Sequence, residues 1–386
     1  MISMAVNENL KTTFIKVNKK KAQAFIKLIN AIFKNQQIID KKKRIMHEGE
    51  YILFPLVLGE KNINKLNESI GKEIDFQLIL RDGVLNINYK NKSLSETLEK
   101  IILPEYYDLI PKSYDVIGHI VIIEFDKINL LINEDLNLLK KKIARAIISV
   151  NKKSRTVYEK KSEIKGPYRL RDLELLYGDD FSETIYKENN CNFKLDVKRM
   201  YFSPRLVYER TRIASSRITE NETIIDMFAG VGPFSIQIAK QHQVKIYAFD
   251  LNPYAFEYLK KNIKLNKIEG KIFPYNIDIQ NICNDANNLG NSLHNQVDRI
   301  IMNLPESSLN FIDIACYLMK TSGGILHIYQ FCEKSDPLKI AIENLKTKLK
   351  ESNWFLETIF ECKVVKTYSP KSDLVVIDAA IKQSKT

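Results

Sequence analysis

One stretch constrains the fold of this chain more than any other: Asp226-Met227-Phe228-Ala229-Gly230-Val231-Gly232-Pro233-Phe234. Residues 222–225 before it are mostly apolar and β-branched, the composition of a buried strand. Residues 234–240 after it read as a helix. Strand, glycine-rich turn and helix form the repeating unit of a doubly wound α/β sheet, which binds ligands at the carboxyl ends of its strands. Gly230 and Gly232 let the backbone approach a ligand where a Cβ would clash. Residues 244–249 read as the next strand and end at Asp250, where an acid can accept both hydroxyls of a ribose.

The pattern D-x-F-x-G-x-G-x-F is not the dinucleotide pattern G-x-G-x-x-G. An acid closing the first strand suits a cationic amino-acid ligand better than a pyrophosphate, which wants helix N–H groups and no anion nearby. An ordinary βα turn would explain the glycines but not acids at two successive strand ends. The spacing resembles that of class I S-adenosylmethionine-dependent methyltransferases, which implies S-adenosyl-L-methionine as cofactor.

The 386 residues suffice for two or three domains of ~150 each. With 45% hydrophobic and 27% charged residues the chain is globular rather than disordered. No apolar run approaches the ~18 residues that span a bilayer, so no membrane partner is expected. Residues 1–10 contain Glu8 and no apolar core, so no signal peptide is expected either. Cys191, Cys283, Cys316, Cys332 and Cys362 form no C-x-x-C pair, which predicts a reducing, cytoplasmic setting and no metal site.

The net charge of +12 points to a polyanionic partner. Residues 1–50 hold eleven Lys/Arg against Glu8, Asp40, Glu48 and Glu50, a surplus of seven. A lysine-rich solvated surface would explain the runs Lys19-Lys20-Lys21 and Lys41-Lys42-Lys43-Arg44. Beside a methyltransferase-like domain, nucleic-acid contact is the better reading, with Lys41, Lys42, Lys43 and Arg44 as RNA-binding candidates.

In chain order, residues 22–33 have helical periodicity, 51–58 are strand-like, 67–74 suit a short helix, and 76–89 read as a hairpin turning at Asp82-Gly83. This basic module, 1–95, carries no catalytic constellation. A middle α/β subdomain, 96–196, follows: an interrupted strand over 113–125, a helix over 135–150, and strands over 156–159, 168–177, 184–187 and 192–195. His119 has no metal-ligating partner at useful spacing and reads as structural. The third domain, 197–386, opens on a helix with Ser203 as N-cap and Pro204 in its first turn. Arg205 and Glu209 lie four apart on it, a spacing that suits a surface ion pair.

After Asp250, a helix is expected over 253–265 and a strand over 271–275 followed by Asp278. The polar, Asn-rich 281–296 reads as a surface loop. A fourth strand over 299–302 ends in Asn303-Leu304-Pro305. Helices over 308–319 and 337–349, a strand over 324–329, and an antiparallel pair, 355–365 with 373–381, complete the reading. The fold class is α/β: a class I methyltransferase doubly wound sheet at the C-terminus, preceded by two smaller α/β modules.

A basic accessory module favours a nucleic-acid substrate over a small molecule. Asn303-Leu304-Pro305-Glu306 departs from the N-P-P-aromatic box of amino-methylating enzymes, and no Cys lies near it to form a covalent cytosine adduct. A purine ring nitrogen remains. N1 of guanine carries a proton, so its methylation needs a base and a group to bear charge developing on O6. Glu209, Asn303 and nearby arginines have the required chemistry.

The motifs Tyr201-Phe202-Ser203-Pro204-Arg205-Leu206 with Glu209-Arg210, Asp226 to Phe234, and Asn303-Leu304-Pro305 resemble the archaeal and eukaryotic tRNA (guanine-N1)-methyltransferases. So do Ser113-Tyr114-Asp115-Val116-Ile117-Gly118, Gly166-Pro167-Tyr168-Arg169-Leu170-Arg171 and Lys187-Glu188-Asn189. The resemblance covers most of 40–386, with 1–35 as an extension and 281–296 as an insertion. It implies methyl transfer to guanosine 37 of tRNA, an N-terminal domain on the tRNA elbow, and a grip on the anticodon loop by the rest. It implies Glu209 as general base, Arg169 as stabiliser of charge at O6, and Asn303 as the group that orients guanine. Asp226, Asp250 and Asp278 would hold the cofactor's amino-acid end, ribose and adenine. Tyr201, Phe202, Arg205, Phe228, Gly230, Gly232, Leu251, Asn303 and Pro305 would complete the cofactor pocket. Arg205 and Arg210 would position the helix or contact phosphate, and Arg171 would bind RNA. Arg169 and Arg171 sit two apart on an expected strand, hence on one face, and Arg169 is preferred for the charge-stabilising role. A monomer is expected. Related enzymes methylate a tricyclic wyosine precursor at the same nucleotide, or transfer an aminocarboxypropyl group from the same cofactor.

Overall fold

The computed structural model describes residues 11–33, 37–57, 66, 68–71, 73–84, 86, 94–98, 101–125, 134–284 and 288–384. They fall into two units, Met1–Ser93 and Leu94–Thr386.

In the first unit, β1 (Lys11–Asn18), β2 (Met46–Glu48), β3 (Tyr51–Pro55) and β4 (Phe76–Asp82) form an antiparallel sheet in the order β2-β3-β1-β4. Helix α1 (Ala22–Ile32) shares a core with it, Phe25 lying 5.3 Å from Phe54 ring to ring. The central strand β1 falls in the stretch expected to be an extension. The expected hairpin at Asp82-Gly83 is corrected in part: β4 pairs with β1, and its supposed second arm lies mostly outside the described residues. Gly83 marks a close approach, since a Cβ there would stand 2.4 Å from Thr12 Oγ1. Of the helix expected over 67–74, residues 66 and 68–70 are helical.

The second unit opens with α2 (Leu94–Leu98), β5 (Tyr114–Ile117), β6 (Ile120–Ile123), α3 (Glu134–Val150), β7 (Thr156–Lys160) and β8 (Leu173–Gly178). The four strands form a sheet in sequence order, with β6 and β7 parallel across the α3 crossover. The expected strand over 113–125 is a hairpin: Gly118, at φ 60°, starts the turn that antiparallel β5 and β6 share. Here His119 Nδ1 lies 3.0 Å from Thr184 Oγ1. The strand expected over 168–177 begins only at Leu173. Residues 165–170 instead close a turn, the Arg169 N–H donating to the Gly166 carbonyl, and Arg169 stands at φ 56°. Arg169 and Arg171 therefore do not share a strand face. A separate hairpin, β9 (Glu183–Glu188) with β10 (Cys191–Asp196), leads to α4 (Val207–Ala214).

The large sheet then assembles from β11 (Thr223–Asp226), α5 (Pro233–Gln241), β12 (Lys245–Phe249), α6 (Pro253–Leu265), β13 (Ile272–Tyr275), α7 (Leu289–Leu293), β14 (Arg299–Met302), α8 (Ile312–Leu318), β15 (Gly324–Glu333), α9 (Pro337–Glu351), β16 (Trp354–Thr367) and β17 (Ser372–Gln383). Strand order is β13-β12-β11-β14-β15-β17-β16. The first five are parallel, and β17 runs antiparallel between β15 and β16. Alternating side chains supply two cores, one on each face, as a sheet covered by helices on both sides requires. Strand order reverses between β11 and β14, which leaves a crevice at their carboxyl ends.

Candidate active site

A cleft of about 310 Å³ opens at that crevice. Its floor is the turn after β11. Gly230, at φ 55°, has nothing within 4 Å of where a Cβ would stand, so its backbone is open to a ligand. Gly232, at φ 88°, instead packs on Leu259 and Ile236. Asp250 joins two loops: Oδ2 accepts the Gly230 N–H at 2.6 Å and Oδ1 the Asn252 N–H at 2.9 Å. Burial raises the Asp250 pKa against the pull of those two N–H groups. Asn252 caps α6 by accepting the Tyr254 N–H, and its amide donates to the Arg199 carbonyl at 2.7 Å. Leu251, Asp278 and Phe228 also line the cleft, Phe228 braced edge-on by Phe311 at 4.9 Å. A glycine cradle that a Cβ would fill, beside a buried carboxylate, fits the ribose and amino-acid ends of S-adenosylmethionine.

The opposite wall comes from the turn before β8 and the segment before α4. Tyr168, Arg169, Tyr201, Phe202 and Ser203 line it. The Arg169 guanidinium lies 4.9 Å over the Tyr201 ring, and its Nη2 is 3.2 Å from Glu306 Oε1. Between the walls stands half-buried Asn303, whose amide makes no hydrogen bond among the described residues. Its loop is fixed by buried Ser308, whose hydroxyl bonds the carbonyls of Met302 and Leu304, and by the Phe331 N–H, which donates to the Pro305 carbonyl at 3.1 Å.

Several expected residues stand elsewhere. Glu209 is 2% exposed and is not on the cleft wall. Its Oε2 accepts from Arg212 Nη2 at 2.7 Å and from the Tyr329 hydroxyl at 3.2 Å, and Oε1 lies 3.2 Å from Lys363 Nζ. The expected Arg205–Glu209 pair is not formed. Arg205 reaches Asp115 on β5 at 2.7 Å, away from the cleft. Arg210 lines the cleft but is corrected as an RNA contact: it is 1% exposed, with Nε and Nη2 on the two oxygens of Glu188 at 2.5 and 2.6 Å. A guanidinium so enclosed has no face for a phosphate. It braces the wall instead, with Nη1 on the Ser203 carbonyl at 3.0 Å and its plane 5.3 Å from the Phe202 ring. Asp226 is 1% exposed beneath the turn, accepting the Ser235 hydroxyl at 2.7 Å. Burial pushes its pKa up to about 6. Asp226, Gly232 and Pro305 are thus supports of the cleft, not its lining. Arg171 lines a second cavity. In the first unit, Lys41 and Arg44 are exposed, while Lys43 bonds the Thr12 hydroxyl.

Sequence reasoning missed Glu306, Asn252 and Tyr168. Glu306 was signalled by its departure from an aromatic at that position, and Asn252 by the N-cap pattern Asn252-Pro253. Among the described residues no cluster of His, Cys, Asp or Glu is placed to hold a metal ion, and no helix is long and apolar enough to cross a membrane.

Across 371 residues, 95% of this chain and 98% of the other, the sequence is 34% identical to the tRNA (guanine(37)-N(1))-methyltransferase Trm5b of Methanocaldococcus jannaschii. The chain belongs to the archaeal and eukaryotic Trm5 family. Residues 184–357 match the TRM5/TYW2 methyltransferase domain, and residues 94–181 match a TYW2 N-terminal domain. The crystal structure of Trm5b from Pyrococcus abyssi superposes with a TM-score of 0.74 at 32% identity, over 96% of this chain and 99% of that one. A Trm5 in complex with tRNALeu gives a TM-score of 0.70 at 33% identity, over 95% and 99%. The domain match begins at Thr184, within the hairpin β9–β10.

Proposed function

We propose that this chain transfers the methyl group of S-adenosylmethionine to N1 of guanosine 37 in tRNA. One observation carries the reading: a single cleft is lined on one side by Gly230, Asp250 and Asp278, on the other by Arg169 and Tyr201, with Asn303 between them. The bound cofactor supplies an electrophilic methyl group. Asp250 and Asp278 hold its ribose and adenine, and the turn over Asp226 receives its amino-acid end. The target base leaves its stack and enters beside Tyr201. Asn303 orients it with an amide that has no partner among the described residues, and Arg169 bears the charge developing on O6.

Glu209 takes the N1 proton once its carboxylate leaves Arg212, Lys363 and Tyr329. In support, register pairs Met302 with Ile328, so Asn303, the residue just past β14, follows at the level where the Glu209 partner Tyr329 continues β15. We assign residues 1–95 to the tRNA elbow, with Lys41, Lys42, Lys43 and Arg44 as phosphate contacts. Residues 96–196 and 197–386 take the anticodon loop. The enzyme acts as a cytoplasmic monomer.

The test is transfer from labelled S-adenosylmethionine to two tRNA transcripts that differ only by guanosine or adenosine at position 37. 1-Methylguanosine from the first and no transfer to the second is the expected result. Transfer to both would move the target elsewhere. The match of residues 94–181 to a TYW2 domain favours a second reading, transfer of the aminocarboxypropyl group at the same nucleotide. Label carried on the methyl group as against the aminocarboxypropyl group separates the two.

A further inference from the structure

Beside the cleft lies a second cavity of about 40 Å³, which shares Arg169, Tyr201 and Phe202 with it. That is room for a few waters or one tetrahedral oxyanion. Lys160 on β7 and Arg171 before β8 line the cavity together with Asp115; Arg205 before α4 reaches Asp115 from outside it, and Lys366 at the end of β16 is near enough to feel the charges of Arg171, Arg205 and Lys160. Asp115 is the carboxylate among them. Arg205 takes one of its oxygens at 2.7 Å, and Lys160 lies 3.9 Å from the other and 3.3 Å from Glu124. Arg171 and Lys366 form no ion pair among the described residues, and the Nε atoms of Arg171 and Arg169 are buried without a hydrogen-bond partner. The crowding is felt at half-buried Lys366. Burial and then the charges of Arg205, Arg171 and Lys160 lower its pKa, against the opposing pull of Asp115.

Two half-buried cations without an ion pair among the described residues, Arg171 and Lys366, gain most when an anion enters. We propose that this cavity is a phosphate subsite, which takes a backbone phosphodiester of the RNA next to the nucleotide whose base enters the cleft. Arg171 is its donor on the cavity wall, Lys366 adds its charge from beside the cavity, and Asp115 holds Arg205 and Lys160 in place. The shared wall of Arg169 and Tyr201 explains the pairing: a base on one side of that wall brings its own phosphate to the other. Seating that phosphate sets which nucleotide is presented. The inference rests on the RNA reading above.

The test uses the full chain with Lys366→Met and Arg171→Met, and a tRNA transcript bound across a salt series. Each variant should weaken binding about tenfold, the scale of one charge-assisted contact. Each should also reduce the slope of log K against log salt by about 0.7–0.9. S-adenosylmethionine affinity should stay at the wild-type value, the melting midpoint should not fall, and Lys366→Arg should restore binding. A ligated transcript with one uncharged methylphosphonate linkage beside nucleotide 37 should weaken wild-type binding by the same factor and leave Lys366→Met indifferent. An unchanged salt slope in both variants would overturn the subsite, as would additive losses from Lys366→Met and the methylphosphonate. Wild-type methyl transfer is read in the same samples: its absence overturns the reaction reading, whereas transfer with an unchanged slope overturns the subsite alone.

Discussion

Arg169 and Glu306 meet at the mouth of the cleft, Nη2 to Oε1 at 3.2 Å, from positions 137 residues apart. Arg169 reaches that point from a left-handed backbone at φ 56°, which costs a non-glycine residue about 1–2 kcal/mol. The chain thus holds the guanidinium over Tyr201 at a conformational cost and covers it with a carboxylate that is 45% exposed. A pair so exposed is worth at most about 1 kcal/mol, little enough for a substrate oxygen to displace. Glu306→Gln should tighten tRNA binding by roughly two- to fivefold in a filter-binding assay, the same energy scale expressed as affinity. Weaker binding would mean that Glu306 itself holds the RNA or aims Arg169.

Glu209→Gln keeps the shape of the buried side chain and removes its basicity. Single-turnover methyl transfer should fall by about 10²–10⁴ with cofactor affinity intact. Transfer at the wild-type rate would take Glu209 out of the proton-abstracting role.

The two glycines of the turn should respond differently to a methyl group. Gly230→Ala meets open space and bears only the strain of its φ, so the protein should fold and lose S-adenosylmethionine affinity by about tenfold as the Cβ fills the cradle. Gly232→Ala would place a Cβ 2.5 Å from Leu259 Cδ1 and should lower stability by about 1–3 kcal/mol. Calorimetry of cofactor binding together with thermal melts reads both. Wild-type affinity in Gly230→Ala would show that the turn does not approach the cofactor.

Two buried acids of the large sheet should leave opposite marks on stability against pH. Asp226 is pushed up to about 6, mainly by burial, above the ordinary 3.8. The folded state therefore binds the extra proton, and stability should fall as pH rises from about 4 to about 6, by up to about 3 kcal/mol. Asp226→Asn should abolish that fall. For Asp378, burial alone would raise the pKa, but His327 and Arg212 outweigh it and bring it to about 2. Its contribution, about 2 kcal/mol, is full above pH ~4 and lost as pH drops toward 2. Asp378→Asn should remove that acid limb and be less stable at neutral pH. Urea titrations at half-unit pH steps measure both, and parallel curves for variant and wild type would refute the assignments.

Local patterns carried much of this architecture. Asn252-Pro253 starts α6, and four apolar or aliphatic-stemmed residues before Asn303 make β14, because caps and β-branched runs act within a few residues. Ion partners did not show in that way. Arg205 finds Asp115 ninety residues away on another sheet, although Glu209 sits one helical turn along. Arg210 looks like a surface cation until β9 brings Glu188 against it. The buried line Arg299–His327–Asp378–Arg212 was equally hidden. Arg299, a donor only, holds the Nε2 of His327 at 2.8 Å, which leaves the ring proton on Nδ1, 2.8 Å from Asp378. Its members come from β14, β15, β17 and α4, whose adjacency only the folded sheet creates. The turn at 165–170 was signalled by Gly166-Pro167, but the left-handed backbone of Arg169 was not, because a non-glycine residue at positive φ leaves no compositional signal.

The hairpin β9–β10 is tied to the large sheet's helices at four places: Glu188 to Arg210, Asn189 to Gln237, and the backbones of Asn192 and Lys194 to the side chains of Asn266 and Asn262. A protease cut or engineered start after Asp196 would strip these partners and strand the Arg210 cation in the interior, a loss of about 3–5 kcal/mol. A catalytic fragment worth expressing must therefore begin upstream of Glu183. In amide exchange, β9 and β10 should open together with α5 and α6, as parts of one melting unit rather than as a linker.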